Sequence, residues 1–300
     1  MPDGFIVLDK PIGLGSTQAV AAAKRNLRAA GFGKVKVGHG GTLDPLASGV
    51  LPLALGEATK LAGRMLDASK DYAFTVAFGA ETETLDLESK VVERSARRPT
   101  LRAVEAVLPD FVGPIEHVPP AYSALMIDGR RAYERARAGE AVTIPTRQVI
   151  VHSLRVYLPA PAGEDLNEIT FVAHVSKGTY IRSLARDLAR ALGTVGHVTM
   201  LRRTRAGPFG LSTAISLDNL NAIGQGALLE NILLPLEAGL DDIPALDLGP
   251  EQARAVREGR VLTGLAFQDG VCWARQGLTP VALMQVEGGD ARVLRGFNLS

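Results

Sequence analysis

The chain has little that would cross-link it, anchor it in a membrane or pull it toward a charged partner. One cysteine, Cys272, stands among 300 residues. That excludes an internal disulfide framework and a cysteine-rich zinc site, and it fits a reducing, cytoplasmic setting. No apolar run approaches the roughly 20 residues needed to cross a bilayer, so no membrane partner is expected. Phe5-Ile6-Val7-Leu8 is too short for a secretory leader and runs straight into Asp9 and Lys10. An excess of one charge is also missing: 33 basic residues face 32 acidic ones, for a net charge of +1. Bulk charge therefore argues for no nucleic-acid partner, and any such argument must rest on where basic residues gather. What remains is an ordinary globular composition, 46% hydrophobic and 22% charged, long enough for one large domain and a small one.

The patterning predicts an α+β fold. Phe5–Leu8 reads as a strand, and Ser16 and Thr17 as caps of an alanine-rich helix ending near Gly31. A second apolar strand spans Leu51–Leu55, followed by a helix over Glu57–Leu66. Tyr72–Phe78 alternates as a strand, and Pro99 and Thr100 open a helix with Leu101, Val104, Val107 and Leu108 on one face. Gln148–Leu158 and Ile169–Ser176 read as neighbouring strands joined by a Pro/Ala/Gly loop over 159–165. Strands alternating irregularly with helices, without a repeated βαβ unit, predict a mixed, mainly antiparallel central sheet flanked by helices. Breaks over Pro235–Pro250 suggest a main body over residues 1–243 and a small β-rich domain over 244–300, with a helix at Glu251–Glu258. Such a domain is marginal alone and is expected to lean on the body.

Two constellations carry chemistry. In Gly38-His39-Gly40-Gly41-Thr42-Leu43-Asp44-Pro45-Leu46-Ala47-Ser48-Gly49, glycines open the backbone around one carboxylate, and Pro45 restricts Asp44 to extended conformations. In Lys177-Gly178-Thr179-Tyr180-Ile181-Arg182, a strand ends and a helix begins, with Thr179 as a candidate cap. Ile181, Leu184, Ala185, Leu188 and Leu192 then form an apolar stripe. Arg186 and Arg190 read as a solvated face. Arg182 is different: in the first turn a cation opposes the helix dipole, which calls for an anionic partner, and Asp44 is the candidate. Basic residues gather again at Gly129–Arg137 and Leu201–Arg205, beside glycines and an aromatic ring, a composition suited to phosphate contacts.

Together with Leu8-Asp9-Lys10-Pro11-Ile12-Gly13, Pro119-Pro120-Ala121-Tyr122-Ser123-Ala124 and Gly196-His197-Val198-Thr199-Met200-Leu201-Arg202-Arg203-Thr204, these segments resemble the pseudouridine synthase family, in its bacterial branch that modifies the T loop of tRNA. The resemblance runs in order from about Gly4 to Leu217, and the tail resembles that family's RNA-binding PUA domain. It implies Asp44 as the catalytic aspartate, Tyr72 as the base-stacking tyrosine, Tyr180 as a second active-site tyrosine and Arg182 as the partner of the aspartate. Lys60 would be a pocket lysine, His39 and Leu201 would contact the RNA or the target base, and Arg202 would bind substrate. Met126 stands where similar enzymes carry lysine.

The activity so implied is isomerisation of the uridine at position 55 to pseudouridine, with no cofactor and no metal. A carboxylate suits attack on, or stabilisation of, an electron-poor sugar carbon, with attack at the base ring as the alternative, and a neighbouring guanidinium favours its ionised form. The uridine would have to be flipped out of its stack, with Arg130, Arg131, Arg202, Arg203, the tail and the insertion over 123–147 gripping the RNA. The expected partner is the tRNA T stem-loop alone, bound by a monomer without a protein partner. Two other readings stand beside this one: a guide-RNA-dependent relative, and a non-catalytic tRNA-binding or tRNA-folding protein. The insertion and the short tail favour the stand-alone enzyme over the first. Intact Asp44, Tyr72, Tyr180 and Arg182 argue against the second.

Overall fold

The computed structural model describes residues 2–123, 125–127, 129–140, 143–157 and 165–299. Residues 159–164 of the expected Pro/Ala/Gly linker, Ala124 of the Pro-Pro-Ala-Tyr-Ser-Ala segment, and 128, 141 and 142 of the insertion lie outside them.

A mixed sheet forms the body. Its strands lie in the order Gly4–Lys10, Ser48–Leu55, Gly196–Ala206, Lys70–Phe78, Glu168–Val175, Arg147–Tyr157, Gly113–His117, with Val37–His39 added against Ser48–Leu55 and Phe209–Gly210 against Gly196–Ala206. Every pairing is antiparallel except one. Ser48–Leu55 meets Gly196–Ala206 in parallel, Arg202 opposite Ser48 and Arg203 opposite Gly49. That contact brings the Asp44 loop against residues more than 150 positions later in the chain.

The residue pattern explains the layers. In Gly4–Lys10, Ile6 and Leu8 face a core built with the helices Ser16–Ala29, Ile181–Ala191 and Leu217–Ile223. Phe5 and Val7 face a second core with Met65, Phe209 and Leu236. Buried on both faces, the strand reads as a continuous apolar run. Lys70–Phe78 alternates, turning Tyr72, Phe74, Val76 and Phe78 to the helical side.

From Ala245 onward a separate four-stranded sheet forms: Ala245–Asp247, Gly270–Gln276, Thr279–Glu287 and Asp290–Gly296, with a helix at Pro250–Arg257. It has its own core around Cys272, Val281 and Met284. Trp273 and Phe297 instead join the body's second core beside Phe5 and Met65. The lean is therefore an apolar one.

Local details depart from the sequence reading. The helix cap before Ser16 is Gly15, and the Ser16 hydroxyl is used elsewhere. Tyr180, not Thr179, caps Ile181–Ala191, because the Thr179 hydroxyl donates to the Ser176 carbonyl. The segment expected as a helix over Glu57–Leu66 starts as a 3-10 turn, Gly56–Leu61, and becomes α-helical over Ala62–Asp67. There the Thr59 hydroxyl donates to Gly56 O at 2.7 Å, and such local back-bonding competes with the helical ladder.

Candidate active site

The Asp44 loop is fastened from below by buried cations and one hydroxyl. Lys10, fully buried, donates to Leu14 O at 2.7 Å, Pro11 O at 3.0 Å and Pro45 O at 3.4 Å. Burial pushes its pKa down to about 8, against the pull of the Asp44 charge. The Ser16 hydroxyl accepts from Leu43 N at 2.8 Å and faces Leu43 O at 2.9 Å. Arg203 donates to Val50 O, Gly41 O and Thr42 O at 2.7, 3.1 and 3.3 Å.

Two glycines allow this closeness. A Cβ at Gly49 (φ 104°) would sit 2.1 Å from Arg203 O, and one at Gly40 would sit 2.7 Å from Met65 Cβ. Asp44 is thus displayed on a loop whose carbonyls are already spoken for.

Arg182 meets it from the helix opposite. Its Nη2 lies 2.9 Å from Asp44 Oδ2 and donates to Tyr122 O, also at 2.9 Å. Its Nη1 donates to Thr84 O at 2.8 Å and lies 3.4 Å from Asp86 Oδ2. Arg182 and Asp86 are 7% exposed at the side chain and Asp44 38%, so the guanidinium is the buried hinge of the site and Asp44 its exposed end. The pair separates two cavities. One, a small recess of about 280 Å³ counting its open mouth, lies toward Asp86 and Leu87. The other, about 1110 Å³ with its open mouth, is bordered by Asp44, Tyr72, Arg147, Tyr180, Arg182 and Leu201 among others.

Asp44, Tyr72, Tyr180, Arg182 and Leu201 therefore converge. His39, Lys60 and Arg202 do not line this cleft. Lys60 points to the small domain, its Nζ 2.6 Å from Glu57 Oε2 and 2.9 Å from Gly296 O. The pocket-lysine expectation is corrected, because the 3-10 turn that carries Lys60 faces the tail. Arg202 forms a bidentate pair with Asp9, at 2.7 and 3.0 Å. His39 sits in the short strand Val37–His39, where burial, and secondarily the Arg203 charge, lower its pKa.

Arg203 is also a correction. At 1% exposure its guanidinium is spent on the Val50, Thr42 and Gly41 carbonyls, so it fastens the loop. Arg130 and Arg131 stay on the surface, Arg130 paired with Glu140 at 2.8 Å.

The sequence reading missed Asp86, Arg147 and His117. Asp86 ends the stretch Gly79–Asp86, which resembles the family only weakly and carries no assigned role. His117, fully buried, accepts from Tyr180 N at 2.9 Å through Nε2, so it fixes where the tyrosine enters the cleft. Burial, with Arg147 and Arg186 nearby, pushes its pKa down to about 4, against the pull of Asp187.

The sign of the pH effect follows. Between about pH 6.5 and 4 the unfolded chain binds a proton at this histidine that the folded chain refuses. Stability therefore falls as pH drops through that window, by up to roughly 3 kcal/mol. His117→Gln, which keeps an acceptor for Tyr180 N but does not titrate, is expected to flatten this limb. Urea unfolding at pH 7 and pH 4.5 measures it, and an unchanged pH difference would remove His117 as its source.

Among the described residues no cluster of three or more histidine, cysteine or acidic side chains is placed to hold a metal. An arginine-paired carboxylate in an open cleft that two tyrosines also border can supply anionic attack or charge stabilisation.

The chain belongs to the TruB family of pseudouridylate synthases: residues 25–181 match the N-terminal domain of that family, and residues 182–241 match the tRNA pseudouridylate synthase B C-terminal domain. It is accordingly a pseudouridine synthase, an isomerase. Similar curated proteins are the tRNA pseudouridine synthase B of Novosphingobium aromaticivorans, 67% identical and covering 100% of this chain and 98% of that one, and that of Zymomonas mobilis, 56% identical over 98% and 96%. Among solved structures, a Cbf5–Nop10–Gar1 complex matches with a TM-score of 0.73 at 26% identity, over 99% of this chain and 85% of the other. An H/ACA RNP bound to a substrate RNA containing 2′-deoxyuridine matches with a TM-score of 0.72, also at 26% identity, over 99% and 85%.

Proposed function

We propose that this chain converts the uridine at position 55 in the T loop of tRNA to pseudouridine, acting alone, with Asp44 as the nucleophile on a flipped-out nucleotide. The observation that carries the reading is the 2.9 Å contact between Asp44 Oδ2 and Arg182 Nη2 at the mouth of the cleft that Tyr72 and Tyr180 border. It is supported by near full-length likeness to enzymes named for tRNA.

In this reading the Asp44 carboxylate bonds to C1′ as the N1–C1′ bond breaks, and the freed uracil turns. C5 then bonds to C1′ and displaces the carboxylate, the C5 proton leaves and N1 gains one. No net electron transfer occurs, so a carboxylate and positioning groups suffice. Arg182 holds Asp44 toward the ribose, Tyr72 stacks on the base and offers a route for the C5 proton, and Leu201 closes the apolar side that keeps water from the detached uracil. Extruding the base costs a few kcal/mol, which backbone contacts made by the surface arginines and the tail offset. A guide-dependent reading has less support, because relatives at 67% and 56% identity are named for tRNA, whereas the complexes match at 26%.

The test is direct. Purified protein and an unmodified tRNA transcript, with no added nucleotide, metal or guide RNA, are expected to yield one pseudouridine at position 55, mapped by carbodiimide adducts and primer extension. Absence of product, or product only when a guide RNA is supplied, would overturn the proposal.

A further inference from the structure

We propose that Arg147 binds a backbone phosphate of the RNA strand that enters the cleft; this rests on the reading above. Four cations border the larger cavity, and three are fully engaged by the protein. Lys70 donates to Met65, Leu66 and Ala68 carbonyls at 3.1, 2.7 and 2.6 Å. Arg182 and Arg203 are bonded as described above. Arg147 is bonded to nothing on two of its three nitrogens: Nε and Nη2 are shielded from solvent and have no hydrogen-bond partner among the described residues. Among the described residues no carboxylate pairs with it.

The geometry says what is absent from that side chain. Nε and Nη2 form the side-on edge of a guanidinium, the edge that takes two oxygens of one phosphate. The flat face is occupied, since Cζ lies 5.0 Å from the Tyr180 ring centroid. The base of the residue is fixed, since Arg147 opens a strand directly opposite His117, and His117 in turn holds Tyr180 N. Gly178 (φ 81°) leaves room beside the group, its notional Cβ 3.5 Å from Arg147 Cζ. An unpaired charged donor sheltered from water is costly, and a phosphodiester next to the extruded nucleotide would complete it. A base carbonyl would take one of the two donors but not both in the same plane.

Binding of a synthetic T-arm stem-loop is measured across 50–200 mM salt for the unchanged protein, Arg147→Gln and Arg147→Lys. One phosphate contact contributes about 0.7–0.9 to the slope of log K against log salt. Arg147→Gln is expected to lose that much slope and to bind about tenfold more weakly, whereas Arg147→Lys keeps the slope. Neutral methylphosphonate placed in turn at each loop phosphate should weaken the unchanged protein at one position to which Arg147→Gln is indifferent. An unchanged slope in Arg147→Gln, or an unchanged methylphosphonate profile, overturns the proposal. Loss of turnover in both variants at constant slope would assign Arg147 to supporting Tyr180 alone and equally overturn it. If the unchanged protein binds and converts the stem-loop, the functional reading survives either result.

Discussion

Asp44→Asn is expected to bind tRNA with affinity close to that of the unchanged protein and to lose turnover by on the order of 10³-fold or more, the scale of removing one member of a catalytic unit. The substitution preserves shape and hydrogen-bonding reach while removing the charge that would attack or stabilise C1′. Asp44 is the more exposed end of its ion pair, at 38%, and its loop is held by Lys10, Ser16 and Arg203 through carbonyls and a backbone amide other than its own. The loop should therefore keep its form. Single-turnover kinetics with saturating protein separate the two effects, and a variant that turns over within tenfold of the unchanged protein would remove Asp44 from the chemistry.

Arg182→Met should lose as much turnover, and unlike Asp44→Asn it should also unfold more easily. Its guanidinium neutralises Asp86, which is buried, and satisfies the Thr84 and Tyr122 carbonyls. Removing one partner of a buried charge pair costs about 3–5 kcal/mol, because the other charge is left stranded. Adding Asp86→Asn to Arg182→Met removes that stranded charge. The double variant is expected to recover part of the stability, read by urea midpoint, and none of the turnover. Recovery of turnover would mean that Arg182 acts only as a structural counter-ion. Loss of stability no greater than that of an exposed arginine would contradict the burial on which the expectation rests.

The secondary structure was largely legible. Tyr72–Phe78 alternates because one face of its strand meets the helices, and the Ile181–Leu192 stripe recurs at helical spacing for the same reason. The Asp44 loop was legible too, since only glycines tolerate its close approaches to Met65 and Arg203, and the residue before a proline is forced extended. The charge of Arg182 in a first helical turn pointed to an anion, and Asp44 lies 2.9 Å away.

Side-chain destinations were less legible. Arg202 and Arg203 are neighbours in one basic cluster, yet one pairs with Asp9 at the surface and the other disappears beneath the loop. Lys60 follows the family pattern in sequence and faces the tail in space. His117 and Arg147 carried no local signal at all, because each owes its place to a strand partner about 30 residues away.

What the sequence by itself determined is therefore the set of elements, the loop that presents Asp44 and the family to which the chain belongs, all properties of residues a few positions apart. Only the tertiary structure decided which cations are consumed as fasteners and which keeps guanidinium nitrogens without a partner among the described residues. A polar side chain settles on whatever acceptor the folded strands bring to it. Those acceptors, such as Gly41 and Thr42 for Arg203, lie about 160 residues away along the chain.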